Sequence, residues 1–201
     1  MHKLQIFGFT AALLFANVGC KAVTASEPSL STKLSTTPIV FDTPKSVAKW
    51  RTINDGVMGG RSKGGLTHTE DFMLFSGVIN TNGGGFSSIR TLVPTGTFAD
   101  VTGVRLRVRS DGRTYKLSFR TGVRYRGRQV AFQAALPVTE ANSWTDINID
   151  FSNLESVLFG QPVSSAPFEA SDIQEVGFII ADGQDGAFRL DIKSIEVIKT
   201  P

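Results

Sequence analysis

Cysteine is nearly missing from this 201-residue chain: the single copy, Cys20, sits in the N-terminal leader. No intrachain disulfide, zinc cluster or cysteine nucleophile is therefore available to the folded part. Histidine is almost as scarce, and only His68 lies beyond the leader. No Gly-x-Ser-x-Gly, His-Glu-x-x-His or Cys–His pattern accompanies it, so nucleophilic and zinc chemistry lack their residues. His68, between Thr67 and Thr69, is expected on the exposed side of a strand. Helical periodicity is absent as well. No window supports an amphipathic helix of three turns, and the best candidate, Leu154 to Phe159, makes one turn.

Apolar runs long enough to span a membrane are also lacking. Met1-His2-Lys3 forms a short positive start, followed by a mostly apolar run from Leu4 to Val18 and then Gly19-Cys20. That is the build of an export signal rather than of a spanning helix. Cys20 after Gly19 resembles the cleavage box of bacterial lipoproteins, with Asn17 at the position usually held by leucine. Cleavage by an ordinary signal peptidase after Ala22 or Ala25 is the alternative. Lys21, in place of the aspartate common in inner-membrane lipoproteins, points to the outer membrane. The expectation is a signal peptide over 1–20 ending in a lipidated Cys20, a flexible Ser/Thr-rich tether over 21–37, and a domain over 38–201 facing the periplasm.

What is present from Ile39 onward is alternation. Val104, Leu106 and Val108 alternate with Arg105, Arg107 and Arg109, and Tyr115, Leu117 and Phe119 with Lys116, Ser118 and Arg120. A period of two buries one face of a strand and wets the other. The pattern recurs around Val130, Ile147, Val176 and Phe188, with further strands expected from Phe72 to Asn80 and Phe86 to Val93. The fold class is therefore all-β, two antiparallel sheets packed face to face as in a β-sandwich or jelly roll. Gly160 to Ser171, with Pro162 and Pro167, is expected as a long connection. Charge is uneven: nine basic residues against one acid, Asp111, lie between Val101 and Val130 of a chain with 21 basic and 18 acidic residues. One strongly positive sheet face is expected from this.

Two glycine clusters draw the eye, Asn54-Asp55-Gly56-Val57-Met58-Gly59-Gly60-Arg61-Ser62 and Gly83-Gly84-Gly85-Phe86-Ser87-Ser88. A P-loop needs a following helix and a Lys-Ser/Thr pair, and both are missing. The clusters are expected to be compact loops packed on one another, with Asp55 capping a turn through backbone N–H groups. Asp55 paired with Asp111 or Asp182 is the competing reading, since glycoside hydrolysis needs two carboxyls at a set distance. Asp182-Gly183-Gln184-Asp185-Gly186 has the oxygen spacing of a calcium loop without the closing glutamate, and a hairpin turn explains it more simply. Arg124-Tyr125-Arg126-Gly127-Arg128 is the densest candidate for an anion site.

Trp50-x-x-x-Asn54-Asp55-Gly56-Val57-Met58-Gly59-Gly60-x-Ser62, Phe75-x-Gly77 and Gly84-Gly85-Phe86-x-Ser88 together resemble the complex I intermediate-associated protein 30 family. Asp111-Gly112-Arg113-x-Tyr115, Trp144, Val176-Gly177-Phe178 and Gly186-x-Phe188-x-Leu190 extend the likeness over about Ile39 to Ile198. The resemblance implies a galactose-binding-like jelly roll. It also implies a non-catalytic role, because mitochondrial members are assembly factors holding complex I intermediates and related domains help photosystem assembly. The expected function is a membrane-tethered scaffold for a protein partner, without cofactor, metal or nucleic acid. Its candidate binding residues are Asn54, Asp55, Val57, Met58, Gly59, Gly60, Gly84, Gly85, Phe86, Arg124, Tyr125, Arg126 and Arg128. Carbohydrate binding is the alternative, with Tyr125 as platform and Trp50 and Trp144 expected in the core; a glycan hydrolase is the third reading.

Overall fold

The computed structural model describes residues 39–137, 140–164 and 166–199, so the expectations for the leader, Cys20 and the tether lie outside the described residues. The strands run in chain order as β1 (Ile39–Val40), β2 (Arg51–Asn54), β3 (Lys63–Thr69), β4 (Phe72–Ile79), β5 (Ser87–Leu92), β6 (Val101–Ser110) and β7 (Tyr115–Tyr125). They continue as β8 (Arg128–Ala135), β9 (Trp144–Asp150), β10 (Glu155–Leu158), β11 (Gln161–Pro162), β12 (Glu175–Ile180) and β13 (Gly186–Lys199). The one α-helix among the described residues, α1 (Pro44–Val47), starts on a proline, whose fixed φ suits a first turn.

The strands form two antiparallel sheets, one in the order β3-β4-β13-β6-β9 with β1 beside β13, the other in the order β11-β10-β8-β7-β12-β5-β2. Alternation decides which side chains meet between them. Val104, Leu106 and Val108 of β6 turn inward, as do Tyr115, Leu117 and Phe119 of β7 and Val176, Phe178 and Ile180 of β12, all buried. In β13 a register shift between Ile192 and Ser194 lets both Ile192 and Ile195 face the core. Phe119 meets Phe98 and Phe151 edge-on at 5.7 and 5.2 Å between ring centroids. Each such ring contributes about 2–3 kcal/mol by leaving water.

Two expectations are corrected by the topology. Leu154 to Phe159 is not a helical turn: Glu155–Leu158 is strand β10, pairing with β8 on one side and β11 on the other. Its period-two alternation, with Val157 buried and its neighbours less so, was too short to outweigh a helical reading. Nor do the basic residues make one positive face. β6 and β7 belong to opposite sheets, so Arg105, Arg107 and Arg109 look away from Lys116 and Arg120. The first group is largely spent on neighbours, Arg105 donating to Asn148, Arg107 pairing with Asp146 and Arg109 with the fully buried Asp191. Trp144 departs from expectation too: it is half-buried on the outer side of the first sheet, with the Arg109 guanidinium 4.9 Å from its ring, whereas Trp50 is in the core.

Candidate binding groove and its rim

Asp55 organises the rim. It opens a 3-10 turn, Asp55–Met58, directly after β2, and its side chain is fully buried. Its Oδ1 accepts the Ser62 N–H at 2.9 Å, while Oδ2 accepts the Ser62 hydroxyl and the Gly85 N–H, each at 2.6 Å. The carboxylate thus clasps the first glycine loop to the second. Burial alone would raise its pKa, but the bonds from Ser62, Gly85 and Phe86 outweigh that and hold it below the ordinary 3.8. Two glycines exist to make room for it. A Cβ on Gly60 would lie 2.3 Å from the Asp55 Cγ, and one on Gly84 would lie 2.3 Å from Oδ2. Gly59 closes the turn at φ 89, and its N–H donates to the Gly56 carbonyl.

Asn54 supports the same corner from the other side. Its Oδ1 accepts the Gly64 N–H and the Ser87 hydroxyl, and its Nδ2 donates to the Gly64 carbonyl. With its root fixed by Asp55 and Asn54, the loop can hold Val57 and Met58 in water, 74% and 59% exposed. They form one bank of a groove of about 510 Å³ lying over the outer face of the seven-stranded sheet.

The opposite bank is the β10–β11 hairpin. Phe159 and Gly160 are its two connecting residues, at φ 50 and φ 78, the backbone a two-residue hairpin loop prefers. A phenylalanine there is strained, because left-handed backbone crowds its Cβ. It gains no burial in return, being 69% exposed, with Arg128 placed 5.9 Å from its ring.

The floor is built from outward positions of β5, β7, β8 and β12: Arg90, Lys116, Arg120, Gln129, Gln133 and Ile179. Adjoining it along Arg90, Arg120, Gln133 and Ile179 is a small depression at Gly177, edged also by Ser88, Ser118 and Glu175. A Cβ on Gly177 would press to 2.3 Å of the Ile89 carbonyl oxygen, so the strand there requires glycine. Glu175 faces three guanidiniums: Arg51 at 2.5 Å, Arg90 at 3.6 Å and Arg120 at 4.0 Å. Burial first, and then the neighbouring Arg120, push Arg90 down to about 10, so it stays charged at neutral pH.

Of the residues singled out from the sequence, the fold brings Val57, Met58, Phe86 and Arg128 together along the groove. Asn54, Asp55, Gly59, Gly60, Gly84 and Gly85 lie behind them as the clasp. Arg124, Tyr125 and Arg126 sit at the tip of the β7–β8 hairpin, where Arg124 donates to the Gly127 carbonyl and Arg126 lies 5.3 Å from the Tyr125 ring. The sequence reading missed Arg90, Gln129, Gln133, Leu158, Phe159 and Ile179. Leu158 and Phe159 were hidden by the helical reading, and the others looked like ordinary outward strand positions.

The carboxylates considered for hydrolysis are engaged elsewhere. Asp111 accepts the Tyr115 hydroxyl and the N–H groups of Arg113 and Arg189. Asp182 receives a two-point fork from Arg113, at 2.9 and 2.6 Å, in the turn joining β12 to β13. The same guanidinium donates to the carbonyls of Gln184, Gly186 and Ala187. His68 is half-buried rather than exposed. Among the described residues no three His, Cys, Asp or Glu side chains converge as a metal site requires.

Fold and groove together define a galactose-binding-like jelly-roll module. The profile of the complex I intermediate-associated protein 30 family matches residues 39–192, and the chain belongs to that family. Similar solved structures include carbohydrate-binding modules. The family 11 module of the cellulosomal cellulase Lic26A-Cel5E of Clostridium thermocellum superposes with TM-score 0.61 at 17% identity, covering 83% of this chain and 96% of the module. The Clostridium thermocellum family 11 module in complex with a β-1,3-1,4-mixed-linked tetrasaccharide gives TM-score 0.58 at 18% identity, covering 77% and 91%. At such identities the likeness is one of fold. No curated protein sequence matches the chain.

Proposed function

We propose that the protein is a non-catalytic scaffold that holds a segment of a protein partner in the groove over its seven-stranded sheet, on a membrane tether supplied by the leader. One observation carries this reading. Val57, Met58 and Phe159, three of the seven large apolar side chains left exposed among the described residues, stand on the two banks of one groove. Exposed apolar groups gathered on facing walls mark an interaction surface rather than scattered surface residues. Methionine adapts its shape to a partner at small energetic cost. The residues lining the groove include no carboxylate, so the pair that glycoside hydrolysis needs is not assembled there.

Carbohydrate is the second reading, supported by the Phe159 ring and the amides of Gln129 and Gln133 lining the same groove. The two separate by photo-crosslinking in the native membrane. A photoreactive residue at Met58 or Phe159 should trap a discrete protein band, and one at Arg105, on the other sheet, should not. Equal crosslinking from Arg105 would overturn the groove reading. Binding to a glycan array with no protein adduct would favour sugar. The tether and the envelope location rest on the leader residues, and loss of membrane association in Cys20→Ser is the result expected of them.

A further inference from the structure

The groove has a charge that its apolar banks do not explain. Arg90, Lys116, Arg120 and Arg128 line it, and no acidic residue does. Glu175 lies in the adjoining depression, outside the groove's lining, and is shared among three guanidiniums, with Arg51 taking one oxygen and Arg90 and Arg120 approaching the other. Neither Arg120 nor Lys116 makes a side-chain hydrogen bond among the described residues. Burying like charges together is unfavourable, and an added carboxylate relieves it while supplying acceptors for the free N–H groups. Arginine offers a planar fork that carboxylates fit.

Resting on the protein-binding reading above, we propose that the segment held in the groove is acidic: an extended stretch that lays carboxylates on the Arg90–Arg120 floor and apolar side chains on the banks. The dimensions suit it. From β10 to β2 the sheet spans five strand spacings, about 24 Å, which is about seven residues of extended chain. The walls favour a peptide over an acidic glycan. Ile53, Val57, Met58, Val157, Leu158 and Ile179 are aliphatic or thioether surfaces, and of the two rings present, that of Phe159 has Arg128 beside it. Pyranose rings stack on open aromatic faces, which this groove scarcely offers.

The test measures fluorescence anisotropy with the full chain in detergent and labelled peptides of about seven residues. One alternates leucine with glutamate, a second leucine with serine, a third leucine with lysine; oligogalacturonate and a neutral β-glucan oligosaccharide complete the set. The acidic peptide should bind at least about tenfold more tightly than the serine peptide at low salt, as charge-assisted bonds require. That margin should shrink as ionic strength rises. Arg90→Gln with Arg120→Gln should erase the margin. Glu175→Gln, which removes the resident competitor, should enlarge it, and a gain in binding cannot arise from misfolding.

Equal binding of the acidic and serine peptides, or preference for lysine, overturns the acidic inference. The groove reading then survives only if Val57→Ser with Met58→Ser weakens every peptide. Binding of oligogalacturonate in place of the acidic peptide, lost in the same arginine variants, makes the occupant an acidic glycan and overturns a protein partner. Absence of binding across the set overturns both.

Discussion

Replacing Asp55 by asparagine should destabilise the protein by about 3 kcal/mol although the side chain keeps its shape. The carboxylate is fully buried and serves two backbone donors, Ser62 N–H at Oδ1 and Gly85 N–H at Oδ2. An amide has one oxygen. If that oxygen stays at the Oδ2 position, the NH2 faces the Ser62 N–H; if it turns to Oδ1, the NH2 meets the Gly85 N–H. Either orientation strands one buried donor, which costs about 1–3 kcal/mol, and removes the charge from the bonds that survive.

Asp55→Ala loses every acceptor and should cost about 4–5 kcal/mol. The sign with pH follows from the lowered pKa. A carboxylate held below its unfolded value stabilises the fold above that value, 3.8, and loses its contribution as pH falls through the folded pKa. The gap between wild type and Asp55→Asn should therefore be widest near neutrality and narrow in acid below about pH 4. Urea unfolding followed by tryptophan fluorescence across pH measures it. Gly56→Ala is the control, because its Cβ would meet nothing within 4 Å, and it should stay within about 0.5 kcal/mol of wild type. An Asp55→Asn protein as stable as the Gly56→Ala protein, or a gap that widens in acid, would refute the clasp.

Gly60→Ala and Gly84→Ala drive a methyl to 2.3 Å from the same carboxyl group, so each should lose about 1–3 kcal/mol in the same assay. Arg113→Lys keeps the charge but cannot supply the fork to Asp182 together with the carbonyls of Gln184, Gly186 and Ala187, and should cost about 2–3 kcal/mol; a loss below about 0.5 would mean the turn holds without it. Phe159→Asn should leave stability within about 1 kcal/mol of wild type, since the ring is exposed and asparagine accepts left-handed backbone, while crosslinking from Met58 to the partner weakens. A large loss of stability would show that Phe159 is structural and weaken the groove reading.

Strands were legible where alternation ran long. β6, β7 and β13 announce themselves because every second side chain must choose between core and water, and three or four successive choices leave little room for a helix. β10 was not legible: its four residues fit one helical turn equally well, and pairing with β8 and β11 settled the matter. The glycine clusters told of close packing, and the residues at both ends of the clasp stand in the quoted motif. The object they make room for, one buried carboxylate, emerges only when the loops meet.

The sequence by itself determined an all-β jelly roll, its family, and a rim in which Val57 and Met58 stand between glycines. Local spacing carries these, because a period of two and a need for missing Cβ atoms are properties of neighbouring residues. Tertiary structure decided the site. The arginines of β6 and β7, close in sequence, part onto opposite sheets, while Ile53, Arg90, Arg120, Phe159 and Ile179, scattered along the chain, come to border one groove. Strand order made that groove, and strand order depends on which apolar faces bury each other across the core, a choice no single stretch of chain contains.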